Sequence, residues 1–182
     1  MDWMLLPLRK YATFSGRARR KEFWMWVLFV VLVAIVLTVL DGVLGLGGRS
    51  GIGSTATQAP GGVGYGAGAF ARGGILTAIF SLAILIPNLA VSVRRLHDID
   101  RTGWWVVLPV VPYLLGMAMI VGGAATSNLA LVGGASVLML VGVVLAIVLL
   151  VFYCMAGTRG PNRFGPDPLD PNATADVSEV FG

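Results

Sequence analysis

The sequence predicts an all-α fold, a polytopic helical membrane protein of four transmembrane helices with both termini on the cytoplasmic side. Three observations carry this. Hydrophobic residues make up 57% of the 182-residue chain and charged residues 12%, about half the roughly 25% charged share of globular domains. The apolar residues gather in four uninterrupted stretches, residues 23–44, 74–93, 104–122 and 129–153. The basic residues gather between those stretches, and almost all of them fall on one side.

Each stretch approaches the ~20 residues that cross ~30 Å of hydrocarbon at ~1.5 Å rise per residue. A segment in lipid must satisfy its own backbone hydrogen bonds, which selects helices. Barrel strands would be about half as long and would alternate polar with apolar residues, and none of the four does. The first stretch follows a basic segment, as a signal peptide would. It is too long for the usual apolar core and no small-residue cleavage motif follows it, so it reads as a retained helix. Its one charge is Asp41. The second contains Pro87 and Asn88, the latter read as interhelical glue worth about 1 kcal/mol. The third contains Pro109 and Pro112, read as kinks whose freed carbonyls are satisfied by neighbouring helices. The fourth carries Ala130, Gly134, Gly142 and Ala146 at multiples of four residues, a row suited to close helix packing. The short link 123–128 predicts a tight antiparallel hairpin of the third and fourth helices.

Orientation follows from charge. Eleven of the 13 Lys and Arg residues lie in the N-terminal segment 1–22, the loop 94–103 and the tail 154–182. Only Arg49 and Arg72 lie on the other side, so the positive-inside rule places both termini in the cytoplasm. The outer loop 45–73 is rich in Gly, Ser, Thr and Ala and reads as mobile. Its Gly62-Val63-Gly64-Tyr65-Gly66 echoes a potassium-filter sequence. The first position is not Thr and no pore helix precedes it, so the echo reads as coincidence. The chain end, residues 169–182, reads as frayed.

Several function classes drop out. The net charge of +4 comes with no zinc-ligand spacing, RNA-recognition motif or helix-turn-helix, so no nucleic-acid partner is expected. Cys154 is the single cysteine, which excludes an intramolecular disulfide and CxxC chemistry; it reads as a small buried hydrophobe. His97 is the single histidine and makes a poor metal site alone. His97 and Asp98 are adjacent and point ~100° apart on a helix, so they form no ready dyad. No enzyme, cofactor or metal is expected. A transporter would place ionisable groups inside the spans. Only Asp41 qualifies, near the outer end, and no internal repeat is visible.

Three polar-aromatic clusters remain. In the first, residues 14–24, Ser15 reads as the N-cap of a helix entering the first span, with Arg17, Arg20, Lys21 and Trp24 on one face. In the second, residues 94–105, the helix is expected to continue past the membrane. Arg94, His97, Asp98 and Arg101 would then share a face and Arg94–Asp98 would pair at i, i+4. Gly103 would stop the helix, and Trp104 and Trp105 would sit at the interface. Membrane anchoring alone calls only for positive charge, so His97, Asp98 and Asp100 point to a specific polar structure. The third, residues 157–168, is turn-rich. The topology brings all three to one face as a cap of Arg–Asp pairs, glycine turns and aromatic plugs. The anion-binding candidates are Arg17, Arg20, Arg94, Arg95, His97, Asp98, Arg101, Trp104, Asn162 and Arg163.

These motifs, Phe14-Ser15-Gly16-Arg17-Ala18-Arg19-Arg20-Lys21-Glu22-Phe23-Trp24, then Arg94-Arg95-Leu96-His97-Asp98-Ile99-Asp100-Arg101-Thr102-Gly103-Trp104-Trp105, then Gly157-Thr158-Arg159-Gly160-Pro161-Asn162-Arg163-Phe164-Gly165-Pro166-Asp167-Pro168, resemble the bacterial YhaH-type inner-membrane proteins, domain-of-unknown-function family 805. The resemblance covers residues 8–168, with all three motifs in order. It implies a small helical protein of the bacterial inner membrane and carries no established activity. The chain departs from the family pattern in its long Gly-rich outer loop, which places the shared function elsewhere. The expected role is an accessory subunit or scaffold, in a membrane complex or as a homo-oligomer. Its cytoplasmic cap would bind an anionic group, such as a membrane lipid headgroup, or a partner's acidic segment. A small transporter or permease-like component is the alternative.

Overall fold

A computed structural model describes residues 2–46 and 74–170. In chain order these form α1 (Asp2–Arg9), α2 (Arg20–Val43), α3 (Ile75–Asp98), a short 3-10 helix (Gly103–Val106), α4 (Val110–Thr126) and α5 (Leu129–Cys154). No strand occurs among the described residues, only isolated bridges such as Asn162 with Gly165. Four segments are long and apolar enough to cross a membrane: α2, α3, the stretch Gly103–Thr126 and α5. Between 6% and 22% of the residues in their apolar windows are buried within the chain. Leu28, Leu32, Ile35, Leu82, Leu140 and Ile147 are all exposed. Continuous apolar surface of that extent is stable against lipid and not against water. The chain is a multi-pass helical membrane protein.

The chain forms two compact units, one built from residues up to Trp24 and from Pro87 onward, the other from Met25–Ile86. In the second unit, α2 ends in a left-handed turn. Gly45 takes φ +66°, and the Leu46 N–H returns to the Asp41 carbonyl at 2.9 Å. This is the six-to-one bond of a Schellman cap. The Asp41 carboxylate then accepts from Leu76 N, Thr77 N and Thr77 Oγ1 at 3.0, 2.9 and 2.8 Å. Its charge sits where the first turn of α3 has unpaired N–H groups. Gly74 permits this approach, because a Cβ there would lie 2.0 Å from Asp41 Cγ.

In the first unit, α4 and α5 form the expected antiparallel hairpin. Ser127 takes φ +53° and the Asn128 N–H returns to the Gly123 carbonyl at 2.9 Å. Asn128 at once caps α5, its Oδ1 accepting from Ala130 N and Leu131 N at 3.0 and 3.4 Å. Two residues thus close one helix and open the next. Glycines let the backbones approach: a Cβ on Gly123 would lie 2.9 Å from Val132 Cγ2, and one on Gly142 would lie 3.3 Å from the Pro109 carbonyl oxygen. Of the expected small-residue row, Gly142 meets the α4 backbone and Gly134 the end of the Met119 side chain, whereas Ala130 and Ala146 are exposed.

The expectation of prolines inside the third helix is corrected. That segment is broken into a 3-10 turn and α4, with Pro109 immediately before α4 and Pro112 in its first turn. Helix starts tolerate proline because the missing N–H has no intrahelical partner there. Cys154, the last residue of α5, is exposed rather than buried. Residues 47–73 of the outer loop, with Arg49, Arg72 and the filter-like sequence, and the chain end beyond residue 170 lie outside the described residues.

Candidate functional site

All three polar clusters fall in the first unit, and the structure joins them around Asp98. The construction begins with backbone. Gly16 takes φ +85°, and the chain after it runs against the end of α3, where the Ala18 N–H donates to the Arg94 carbonyl at 3.0 Å. Helix α2 begins only at Arg20, so Ser15 is not its N-cap. Arg17 lies before the helix and does not share a helical face with Arg20, Lys21 and Trp24. That extended approach sends Arg17 inward. Its Nε donates to Asp98 Oδ1 at 3.0 Å, and its terminal nitrogens donate to the Gly160 carbonyl at 2.6 Å and the Thr158 carbonyl at 2.5 Å.

Arg95 completes the clasp from the other side. One terminal nitrogen donates to Asp98 Oδ2 at 2.5 Å, Nε donates to the Tyr153 carbonyl at 3.2 Å, and the other terminal nitrogen donates to the Met155 carbonyl. Arg17, Arg95 and Asp98 are all buried, with side-chain exposures of 2%, 0% and 6%. Gly157 lets the tail pass over this carboxylate, since a Cβ there would lie 2.2 Å from Asp98 Oδ2. The expected i, i+4 pair of Arg94 with Asp98 does not form. Adjacent residues on a helix diverge by ~100°, so Arg95 meets Asp98 and Arg94 meets Glu22 at 2.7 Å. The Nε and Nη2 of buried Arg94 have no acceptor among the described residues.

The end of α3 is also unlike the expectation of a glycine stop at Gly103. The helix ends at Asp98, Asp100 takes the left-handed conformation at φ +57°, and the Arg101 N–H returns to the Leu96 carbonyl at 2.9 Å. Aspartate adopts this region more readily than most residues, and Arg163 holds it there through Asp100 Oδ1 at 3.0 Å and its carbonyl at 2.9 Å. The remaining carbonyls of the last turn are taken by the tail. Thr158 N donates to Asp98 O at 2.8 Å and Asn162 Nδ2 donates to His97 O at 2.9 Å. The His97 ring stacks on Phe164 with centroids 3.9 Å apart, and its Nδ1 lies 3.3 Å from Gly16 O.

The structure therefore gathers Arg17, Arg94, Arg95, His97, Asp98, Asn162 and Arg163 into one cap. Arg20 is at its rim, donating to the Cys154 carbonyl at 3.3 Å. Arg101 stands over the Phe152 ring at 5.5 Å, and Trp104 remains apart, 77% exposed. Sequence reasoning gave no role to Glu22 or Asp167. Asp167 organises the tail, accepting from Gly160 N and Leu169 N, both at 2.9 Å. The Leu169 N–H holds its carboxyl below the ordinary carboxylate range, burial opposes this, and the charges of Arg17 and Arg19 assist it. The signal for Glu22 was a lone acid inside a basic run at the mouth of a span, where an unpaired carboxylate would be costly.

Beside the clasp lies a cavity of about 490 Å³, lined in part by Arg17, Arg19, Arg20, Lys21, Asp98 and Arg159. No group of three or more His, Cys, Asp or Glu among the described residues could hold a metal ion. What this arrangement provides is a fixed, cationic surface at the ends of apolar helices.

Fold and cap together define a class: small polytopic membrane proteins whose helix ends are locked by an arginine–aspartate clasp. Residues 11–166 match the family model described as "Protein of unknown function (DUF805)", and the chain belongs to that family. It is 36% identical over 172 residues to the inner membrane protein YhaH of Escherichia coli strain K12, covering 94% of this chain and all of that one. It is 33% identical to the inner membrane protein YhaI of the same strain, covering 92% of this chain and 96% of that one. It is 28% identical to the uncharacterized protein YiiR, over 90% and 91% of the two chains. No solved structure matches. The chain is a multi-pass protein of the bacterial inner membrane.

Proposed function

We propose that this protein is an accessory subunit or scaffold of the inner membrane whose polar cap, on the cytoplasmic side, recognises an anionic group or a partner protein. The observation that supports this most is the Asp98 clasp. The donors of Arg17 and Arg95 are satisfied by the Asp98 carboxylate and by tail and helix-end carbonyls. A network so closed is rigid. Its product is shape: it fixes three chain segments into one surface whose outer wall is cationic. Recognition is what a preorganised charged surface does well.

The test is native mass spectrometry of the protein extracted from its own membrane in mild detergent. A partner chain or an anionic lipid retained in fixed ratio is the expected result. A bare chain that carries solute or ion flux in liposomes, lost on Asn88→Ala or Asp98→Ala, would replace the scaffold with a transporter.

A further inference from the structure

We infer that the cavity beside the clasp is a binding site for a phosphate group, with an anionic phospholipid headgroup as its source. This rests on the reading of the cap as an anion-recognition surface, and it shifts the site from the buried arginines to Arg19, Arg20, Lys21 and Arg159.

Charge comes first. The wall holds five cationic side chains, those of Arg17, Arg19, Arg20, Lys21 and Arg159, against two carboxylates, Asp98 and Asp167. Both carboxylates are already engaged, Asp98 by Arg17 and Arg95 and Asp167 by two backbone N–H groups. With five cations against two carboxylates, the wall is net positive. Arg17 is committed to the clasp and contributes field rather than a contact. The opening of α2 reinforces the sign: this 24-residue helix starts at Arg20, and a helix start carries partial positive charge and unpaired N–H groups.

Chemistry and size come next. Guanidinium forks match phosphate oxygens bidentately, and lysine adds a point charge. The volume of about 490 Å³ lies within the range of about 300–1,000 Å³ common for small-ligand clefts. Place then selects the source. Arg20 and Lys21 open spanning helix α2, and Ala156 and Gly157 follow the end of spanning helix α5. Trp24, one turn into α2, is 39% exposed and suits the headgroup layer, where indoles collect. A bilayer crossed by these helices would present phosphates at the level of the cavity. Juxtamembrane basic residues bind such headgroups.

Arg20, Lys21 and Arg159 are exposed and outside the clasp, so binding can be tested without dismantling the cap. The full chain in neutral detergent would be titrated with phosphatidylglycerol and with phosphatidylcholine of the same acyl chains, and bound lipid read by native mass spectrometry. Phosphatidylglycerol should be retained roughly tenfold more strongly, and Lys21→Gln with Arg159→Gln should erase that preference while the melting temperature without lipid stays near wild type. Inorganic phosphate that competes at concentrations where chloride does not would uphold the phosphate site, and a water-soluble phosphate ester such as glycerol phosphate retained in preference to phosphatidylglycerol would reassign its source. Equal retention of the two lipids, or a preference unchanged in the double variant, would overturn the site. A protein partner retained in that same case would leave the scaffold reading standing; no partner and no preference would remove both.

Discussion

Asp98 carries two guanidinium groups in a dry setting, and the cost of losing it differs from that of losing an exposed pair. Asp98→Ala leaves Arg17 and Arg95 buried without their carboxylate, expected to cost about 3–5 kcal/mol. Arg163→Ala removes an exposed pair, where the loss is about 0–1 kcal/mol. Thermal unfolding in one detergent should therefore rank Asp98→Ala far below Arg163→Ala, and equal midpoints would refute the clasp as the keystone. Arg94 and Glu22 offer a contrast. Glu22→Ala strands a buried guanidinium and should be severe. Joint replacement of both by Leu should recover most of that loss, because their network is only partly satisfied. Asp167 adds a pH dependence. Its folded pKa lies below the unfolded value, so its contribution is fully present above the ordinary carboxylate range and is lost as pH falls through the folded pKa. Protease cleavage of the tail should rise in acid, and Asp167→Asn should flatten that profile. The polar surplus of His97, Asp98 and Asp100 over simple anchoring was legible in the sequence. The partners were not, since Arg17 and Asp98 are 81 positions apart and local spacing favoured the wrong arginine.

Among the elements, the spans were legible because lipid imposes length and composition on them directly. The helix ends were not, because they are set by single contacts. Ser15 carries a capping side chain, yet Gly16 at φ +85° and the Ala18–Arg94 backbone bond keep that segment extended until Arg20. The apolar run around Pro109 and Pro112 predicts one kinked helix for the third span. The chain instead restarts the helix after Pro109, which removes the conflict altogether. Where helices touch, glycine sets the distance, and this gives a graded prediction. Gly74→Ala forces a Cβ into Asp41 and Gly157→Ala forces one into Asp98, at 2.0 and 2.2 Å from their nearest atoms. Gly133→Ala meets nothing within 4 Å and should be neutral or slightly stabilising, because alanine favours helix over glycine. Folded yield and melting temperature should fall for the first two, as overpacking typically costs about 1–3 kcal/mol. A loss for Gly133→Ala equal to theirs would contradict the contact geometry.

For the molecule as a whole, the orientation we propose ties the cap to the compartment in which it works. Eleven of the 13 basic residues lie in the three segments placed inside, and nine of them are not in the buried clasp of Arg17 and Arg95. Positive charge is retained on the cytoplasmic side during insertion, and charge in short loops near span ends dominates the outcome. On that orientation the basic residues of the cap would act twice, first in choosing the side and then in building the surface that faces it. The link between α4 and α5, at Ser127 and Asn128, lies at the opposite end of those helices from the Cys154 carbonyl that Arg20 meets. It carries no basic residue. This makes the orientation testable with one reagent. In a Cys154→Ser background, Ser127→Cys should react with a membrane-impermeant maleimide in intact spheroplasts. Asp170→Cys should react only after the membrane is opened. The reverse pattern would place the cap outside, and the charge count would then have to yield to a partner that fixes the topology. Labelling of both sites in intact spheroplasts would break the four-span count, since an even number of crossings separates neither terminus from the other and an odd number separates Ser127 from Asp170.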